Sequence, residues 1–312
     1  MKRRNKLIDQ SISKTWDEGF KEFLLSCNAK NLSESTIKYY SLAAKQFIKS
    51  TQITNIEEAD INIINEYIVE LRDHLKIPTV NTNIRALRTI FYFFMELEYL
   101  PRFKIKLLKQ QETIKETYTD QELKILLKKP NVKTCTFAEY RDWVIINFFV
   151  GTGCRIRTLR NLKVGDIDLE KAYITFSVTK NKKPQIIPIS KTLLKVLNEY
   201  MKFRQYNNEE EYLFCNVYGN IIAQRSLQQS IQLYNNARGV SKSSCHLFRH
   251  SFAKNWILSG GDVFRLQKIL GHSSLDVVKM YVNMFGTDLQ RDFDVFNPLE
   301  KFYNNDTAIK MK

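Results

Sequence analysis

The sequence predicts a mainly α-helical protein with one small antiparallel β-sheet, organised as two domains. Three observations predict this. A chain of 312 residues is longer than one core ordinarily fills. Apolar residues recur at helical period through most of its length, and only over residues 161–190 does the pattern change to short β-branched runs. The 44% hydrophobic share, with 10 Gly and 6 Pro, belongs to packed globular structure rather than to disorder.

The first domain, residues 12–108, reads as four helices. One covers residues 16–25. The next, after Ser33, gathers Ile37, Tyr40, Ala44, Phe47 and Ile48 on one face, with Lys38, Lys45 and Lys49 on another. A third carries Ile64, Tyr67, Ile68 and Leu71. The fourth, after Thr79, carries Ile84, Leu87, Phe91, Phe94 and Met95, with Arg85 and Arg88 elsewhere on its surface. The aromatic stripes are core, and the basic faces suit either solvent or DNA. From Pro101 the period is lost, and a polar, charged stretch ends in a linker at 109–117.

The second domain spans 118–297. It opens on a helix start at Thr119-Asp120-Gln121-Glu122, followed by a strongly apolar helix over 140–150. LKVGDIDL, AYITFSV and QIIPIS form the small sheet, punctuated by the basic turn TKNKKP. Helical patterns return after Tyr212 and run to about residue 296, broken by the glycines of SGGD and LGHSS. A tail, 298–312, closes the chain.

The formal charge is +15 with a pI near 9.4, and residues 1–110 hold 18 Lys and Arg against 13 Asp and Glu, so both halves are basic. Nucleic acid is the partner this favours, although charge alone also suits a basic protein without one. Five scattered cysteines with no Cys-x-x-Cys pair argue against a disulfide scaffold or a zinc site. No signal peptide is visible at MKRRNKL. The most apolar stretch, 143–150, falls far below the roughly 20 residues that span a bilayer. A cytoplasmic protein without a membrane partner is expected.

Three of the four histidines, His246, His250 and His272, fall within 27 residues, beside Arg249. No cysteine accompanies them at ligand spacing and carboxylates are sparse, so an anion site fits better than a metal site: imidazole and guanidinium donate hydrogen bonds, and Arg grips phosphate at two points. HLFRH at 246–250, LGHSS at 270–274 and Tyr281, nine residues beyond His272, resemble the C-terminal signature of the tyrosine recombinases, the phage integrase family. TGCRIRTLRNLKVGDID at 152–168 resembles that family's first arginine box, and TKNKKPQIIPI its lysine-bearing turn.

The resemblance implies a two-domain recombinase architecture: a helical core-binding domain and a mixed α/β catalytic domain. It implies Tyr281 as nucleophile, Arg155, Arg249, His246 and His272 on the scissile phosphate, and Lys180 as general acid, with Lys182 and Lys183 touching neighbouring phosphates. His250 is expected to support the site by bonding within it. No cofactor, metal or ATP is implied. The implied partner is double-stranded DNA with a specific recombination site, held by a homo-oligomer, a tetramer on two duplexes. One position departs from the family: Glu or Asp usually stands three residues after the first arginine, and here it is Thr158, which either replaces the carboxylate by a hydroxyl bond or leaves the site looser. Beyond Tyr281, Leu289, Phe293 and Phe296 form an apolar stripe that either caps its own domain or docks on a neighbouring subunit. The short segment before the first helix resembles Xer-type and simple transposon recombinases, which lack an arm-binding domain. Two alternatives remain at this point, a type IB topoisomerase and a DNA-binding relative with weakened catalysis.

Overall fold

The computed structural model describes residues 14–110, 116–177, 184–271, 279, 281 and 297–302. Lys180, Lys182, Lys183, His272, Leu289, Phe293 and Phe296 lie outside the described residues. The chain divides into two compact units at 113/114.

The first unit is all-helical. α1 (Trp16–Ala29) starts in a capping box, the Thr15 hydroxyl accepting from the Glu18 amide while the Glu18 carboxylate accepts from the Thr15 amide at 3.1 Å. α2 (Glu34–Thr51) is capped by Ser33 and stops where Gln52 turns left-handed. α3 (Ile61–His74) is capped by Asp60, whose carboxylate accepts two backbone N–H bonds. α4 (Ile77–Glu96) opens with Pro78 in its first turn, where the missing N–H costs nothing. The stripes of these helices meet around Trp16, Phe47, Phe91 and Phe94, packed edge to face, as in the Trp16–Phe94 pair at 5.5 Å and 86°. After α4 the chain runs back over this core. Leu100 and Ile105 are buried, and the Asn81 carboxamide clasps Leu108, donating to its carbonyl at 3.0 Å and accepting from its amide at 2.8 Å.

The second unit is built on α6 (Phe137–Thr152), which is strongly apolar and buried along most of its length. α5 (Asp120–Leu127), capped by a Thr119–Glu122 box, packs against it with α8 (Lys191–Arg204), α9 (Gln224–Asn236) and α10 (Cys245–Leu258). Arg141 and Asp142 form a buried ion pair on α6 at 2.7 Å. Arg141 also donates to the Cys215 carbonyl, and Ser230 of α9 donates to Asp142. The sheet is antiparallel in the order β1 (Ile167–Asp168), β2 (Tyr173–Phe176), β3 (Gln185–Pro188), with Ile174 opposite Ile187. Ile174, Phe176 and Ile187 face inward while Tyr173 and Ile186 face out. A short α7 (Ile156–Arg160) follows α6. α11 (Val263–Leu270) follows α10, and a last helical turn, α12, spans Pro298–Phe302.

Two sequence expectations change here. α8 lies in a stretch the sequence reading left unassigned, although Leu193, Val196, Leu197 and Tyr200 bury one helical face. Helix resumes at Gln224 rather than just after Tyr212, because residues 213–222 turn back through a bridge between Cys215 and Ile221.

The first described residues of this unit are fastened to α10. Tyr118 is buried, its ring stacks on Phe248 at 4.4 Å, and its amide donates to the Ser251 hydroxyl at 2.8 Å. Asn235 donates to the Tyr118 hydroxyl at 3.1 Å, and the Lys242 ammonium to the Thr117 carbonyl at 3.0 Å. α10 is thereby held both by α6, through Phe149 on Phe248, and by this segment, which fixes the platform on which the HLFRH residues stand.

Candidate active site

The site begins at a bend. α6 ends on Gly153, whose left-handed φ of +61° no β-carbon tolerates cheaply; a Cβ there would lie 2.6 Å from Phe252 and 2.8 Å from Leu270. The chain then reverses through Cys154 into α7, with Arg155 at the N-cap position and half-buried. The bend turns the Gly153 carbonyl toward α10, where the Arg249 guanidinium donates to it at 2.8 Å. The same guanidinium donates to the Leu270 carbonyl at 2.8 Å, and Arg155 reaches that carbonyl at a long 3.5 Å. Two arginines 94 positions apart in sequence therefore share one acceptor.

That acceptor is the end of α11. The last carbonyls of a helix have no partner within it and carry its negative dipole end. Here Gln185 of β3 donates to the carbonyls of Lys268 and, at 2.8 Å, of Ile269, while the arginines take Leu270. Gly271 follows with φ +61°, and a Cβ at that position would come within 2.8 Å of the Gln185 amide oxygen. Gln185 thus ties β3 to the arginine pair.

Tyr281 is 1% exposed, packed with Ala253, Leu266 and Leu270. Its hydroxyl lies 2.6 Å from His250 Nδ1. Desolvation pushes its phenol above the usual range, outweighing Arg249 and Arg155, which pull it down. The arginines alone therefore do not make it a phenolate. Arg249 is buried, and desolvation followed by the charge of Arg155 lowers its guanidinium to about 10. Arg155 is shifted down by desolvation as well. His246 remains open to solvent, and partial desolvation, then Arg249 and Arg155, hold its imidazole below its ordinary value.

Arg155, His246, Arg249, His250 and Tyr281 therefore converge. Thr158 is buried one turn into α7 and, among the described residues, bonds to neither arginine. Backbone carbonyls accept from both guanidiniums. Lys38, Lys45, Lys49 and Arg85 are exposed on α2 and α4 of the first unit, and Arg88 lines a groove of about 430 Å³ with Lys30, Tyr40 and Tyr92. Sequence reasoning missed Gln185 and the Gly153 and Leu270 carbonyls. Gln185 directly follows the TKNKKP turn, the one signal that pointed to it. Among the described residues, no three His, Cys, Asp or Glu side chains cluster as a metal site, and no helix is long and apolar enough to cross a membrane. None of the five cysteines is in a disulfide.

Comparison with known proteins matches residues 116–286 to the phage integrase family and residues 20–99 to the phage integrase N-terminal SAM-like domain. The chain is similar to tyrosine recombinase XerD of Listeria innocua, 26% identical over 86% of this chain and 94% of that protein. It is also similar to tyrosine recombinase XerA of Pyrococcus horikoshii, 26% identical over 91% of this chain and 93% of that protein. Among solved structures, the XerH recombinase bound to palindromic difH superposes with a TM-score of 0.71 at 22% identity, covering 86% of this chain and 81% of that one. A lambda integrase dimer bound to a COC' core site gives 0.71 at 15% identity, covering 98% and 83%.

Proposed function

The chain belongs to the phage integrase family and is a site-specific tyrosine recombinase, and from that premise we propose how its residues divide the work. Tyr281 attacks the scissile phosphate, forming a 3′-phosphotyrosyl link and releasing a 5′-hydroxyl. Arg155 and Arg249 neutralise the nonbridging oxygens, whose charge is greatest in the transition state, and His246 and His272 donate further hydrogen bonds. Lys180 gives the departing 5′ oxygen its proton. The ester conserves the bond energy, so a second 5′-hydroxyl reverses the attack without ATP or metal. The single observation that carries this reading is the meeting of Arg155, Arg249 and Tyr281 around Leu270.

The basic residues of the first unit, Lys38, Lys45, Lys49, Arg85 and Arg88, contact DNA phosphates, and Lys182 and Lys183 do so beside the lysine turn. A tetramer on two duplexes is the working unit, acting in the cytoplasm on DNA of a mobile element. The catalytic domain starts near residue 118 and runs to about 297, with the tail 298–312 reaching a neighbouring subunit. The carbonyl anchoring of both arginines favours full catalysis despite Thr158.

The test is a nicked suicide substrate, which should trap a covalent protein–DNA adduct with the native chain, in EDTA as well as without it. Tyr281→Phe should form none. An adduct persisting in that variant would remove Tyr281 from its role.

A further inference from the structure

Tyr281 poses a chemical problem that the phosphate clamp leaves unsolved. A nucleophilic phenol must lose its proton, yet Tyr281 is buried in apolar company, where the phenolate is disfavoured. Arg155 and Arg249 cannot accept a proton from it, since both are already protonated donors held on carbonyls. The group in contact with the phenol is His250, its Nδ1 2.6 Å from the hydroxyl, with the rings at 5.6 Å between centroids and tilted by 49°.

We propose that His250 is a catalytic residue, the general base that takes the Tyr281 proton during cleavage and returns it during ligation. This rests on Tyr281 being the nucleophile. With Nδ1 unprotonated, the phenol donates to it. As the Tyr281 Oη–P bond forms, the O–H bond breaks and its proton passes to Nδ1. The P–O5′ bond breaks, and the electron pair stays on O5′, which the general acid protonates. Ligation runs the same steps backwards: a 5′-hydroxyl attacks phosphorus, the tyrosyl oxygen leaves, and the His250 imidazolium supplies its proton.

The position suits the task. His250 follows Arg249 on α10, so one helix carries both a clamp residue and the base, and their separation cannot drift. His246 lies one turn earlier on the same helix, but it is His250 whose ring meets the phenol. The Tyr118 contacts with Phe248 and Ser251 hold α10 on either side of the base.

The experiment uses the full chain and the nicked substrate under single-turnover conditions. His250→Asn retains a hydrogen-bonding amide near Nδ1 but no base, and it should cleave roughly 100- to 10,000-fold more slowly with DNA affinity unchanged. Placing a fluorinated, more acidic tyrosine at 281 should restore much of that loss while changing the native rate little. A 5′-phosphorothiolate substrate, whose leaving group needs no proton, should not rescue the variant. Cleavage by His250→Asn within about threefold of native, absence of fluorotyrosine rescue in a folded variant, or rescue by the phosphorothiolate would each overturn the base assignment. A native chain that forms no adduct overturns instead the recombinase reading beneath it.

Discussion

Replacing Gly153 by alanine places a methyl group where Phe252 and Leu270 already stand, at 2.6 and 2.8 Å, on a residue whose φ is +61°. Two costs combine. The left-handed backbone conformation disfavours an L side chain by about 1–2 kcal/mol, and forcing an extra methyl into packed neighbours costs about 1–3 kcal/mol. Gly239 separates them, because its φ is +74° but nothing lies within 4 Å of its would-be Cβ. Gly239→Ala should carry the backbone cost alone, and any entropy change in the unfolded chain is common to both variants. The difference between the two, about 1–3 kcal/mol, corresponds to roughly 2–12 °C in melting temperature for a unit of this size. Thermal unfolding followed by circular dichroism reads it. Gly153→Ala should also cleave the suicide substrate more slowly, because the Gly153 carbonyl orients Arg249, whereas Gly239→Ala should cleave normally. If the two variants melt within about 1 °C of each other, the packing argument for the bend is wrong.

Two further outcomes test other parts of the molecule. Changing Lys38, Lys45 and Lys49 together to Gln should lower the slope of log affinity against log salt by about 3, since each phosphate contact contributes about 0.9; an unchanged slope in a binding titration would remove that face from the DNA. His246 has a depressed pKa in the free protein, held down by desolvation and by Arg249 and Arg155. A bound phosphate offsets both arginine charges, so the His246 pKa should rise and DNA binding should take up a proton between the two values. Affinity therefore strengthens as pH falls through that window and levels off below the free-protein pKa. An NMR titration of the His246 ring, with and without DNA, measures it, and equal pKa values would show that no phosphate sits beside this residue.

The helices of the first unit were legible because each carries a stripe at one period, and α1, α2 and α3 a side-chain cap at their start. Ile84, Leu87, Phe91, Phe94 and Met95 are all buried as their spacing requires. α8 was overlooked although its stripe is of the same kind, because it begins directly after the strand run ending at Ser190. In the site, Arg155, Arg249 and Tyr281 were readable from motifs. What holds them was not, since backbone carbonyls carry no residue signature: Gly153 and Leu270 act through atoms every residue possesses. The burial of Tyr281 was equally hidden. A tyrosine among arginines reads as a candidate for a lowered pKa, and only packing against Leu266, Leu270 and Ala253 reverses the sign. His250 was recognised as a group bonding within the site, but its partner follows from the placement of Tyr281, which no local pattern encodes.

The shared carbonyl at the end of α11 has a consequence for the speed of the reaction. A free arginine side chain samples many rotamers, and freezing it at the moment of catalysis would add to the barrier. Arg249 donates one N–H to Gly153 and one to Leu270, so two backbone carbonyls fix the plane of its guanidinium. The chain thus immobilises the guanidinium while it folds, long before any DNA arrives. In the resting protein the helix terminus offers the guanidinium its negative end, the partner that a phosphate would be under the proposed assignment. With Arg249 on the scissile phosphate as proposed, little reorganisation would be left for the step in which phosphorus changes partners.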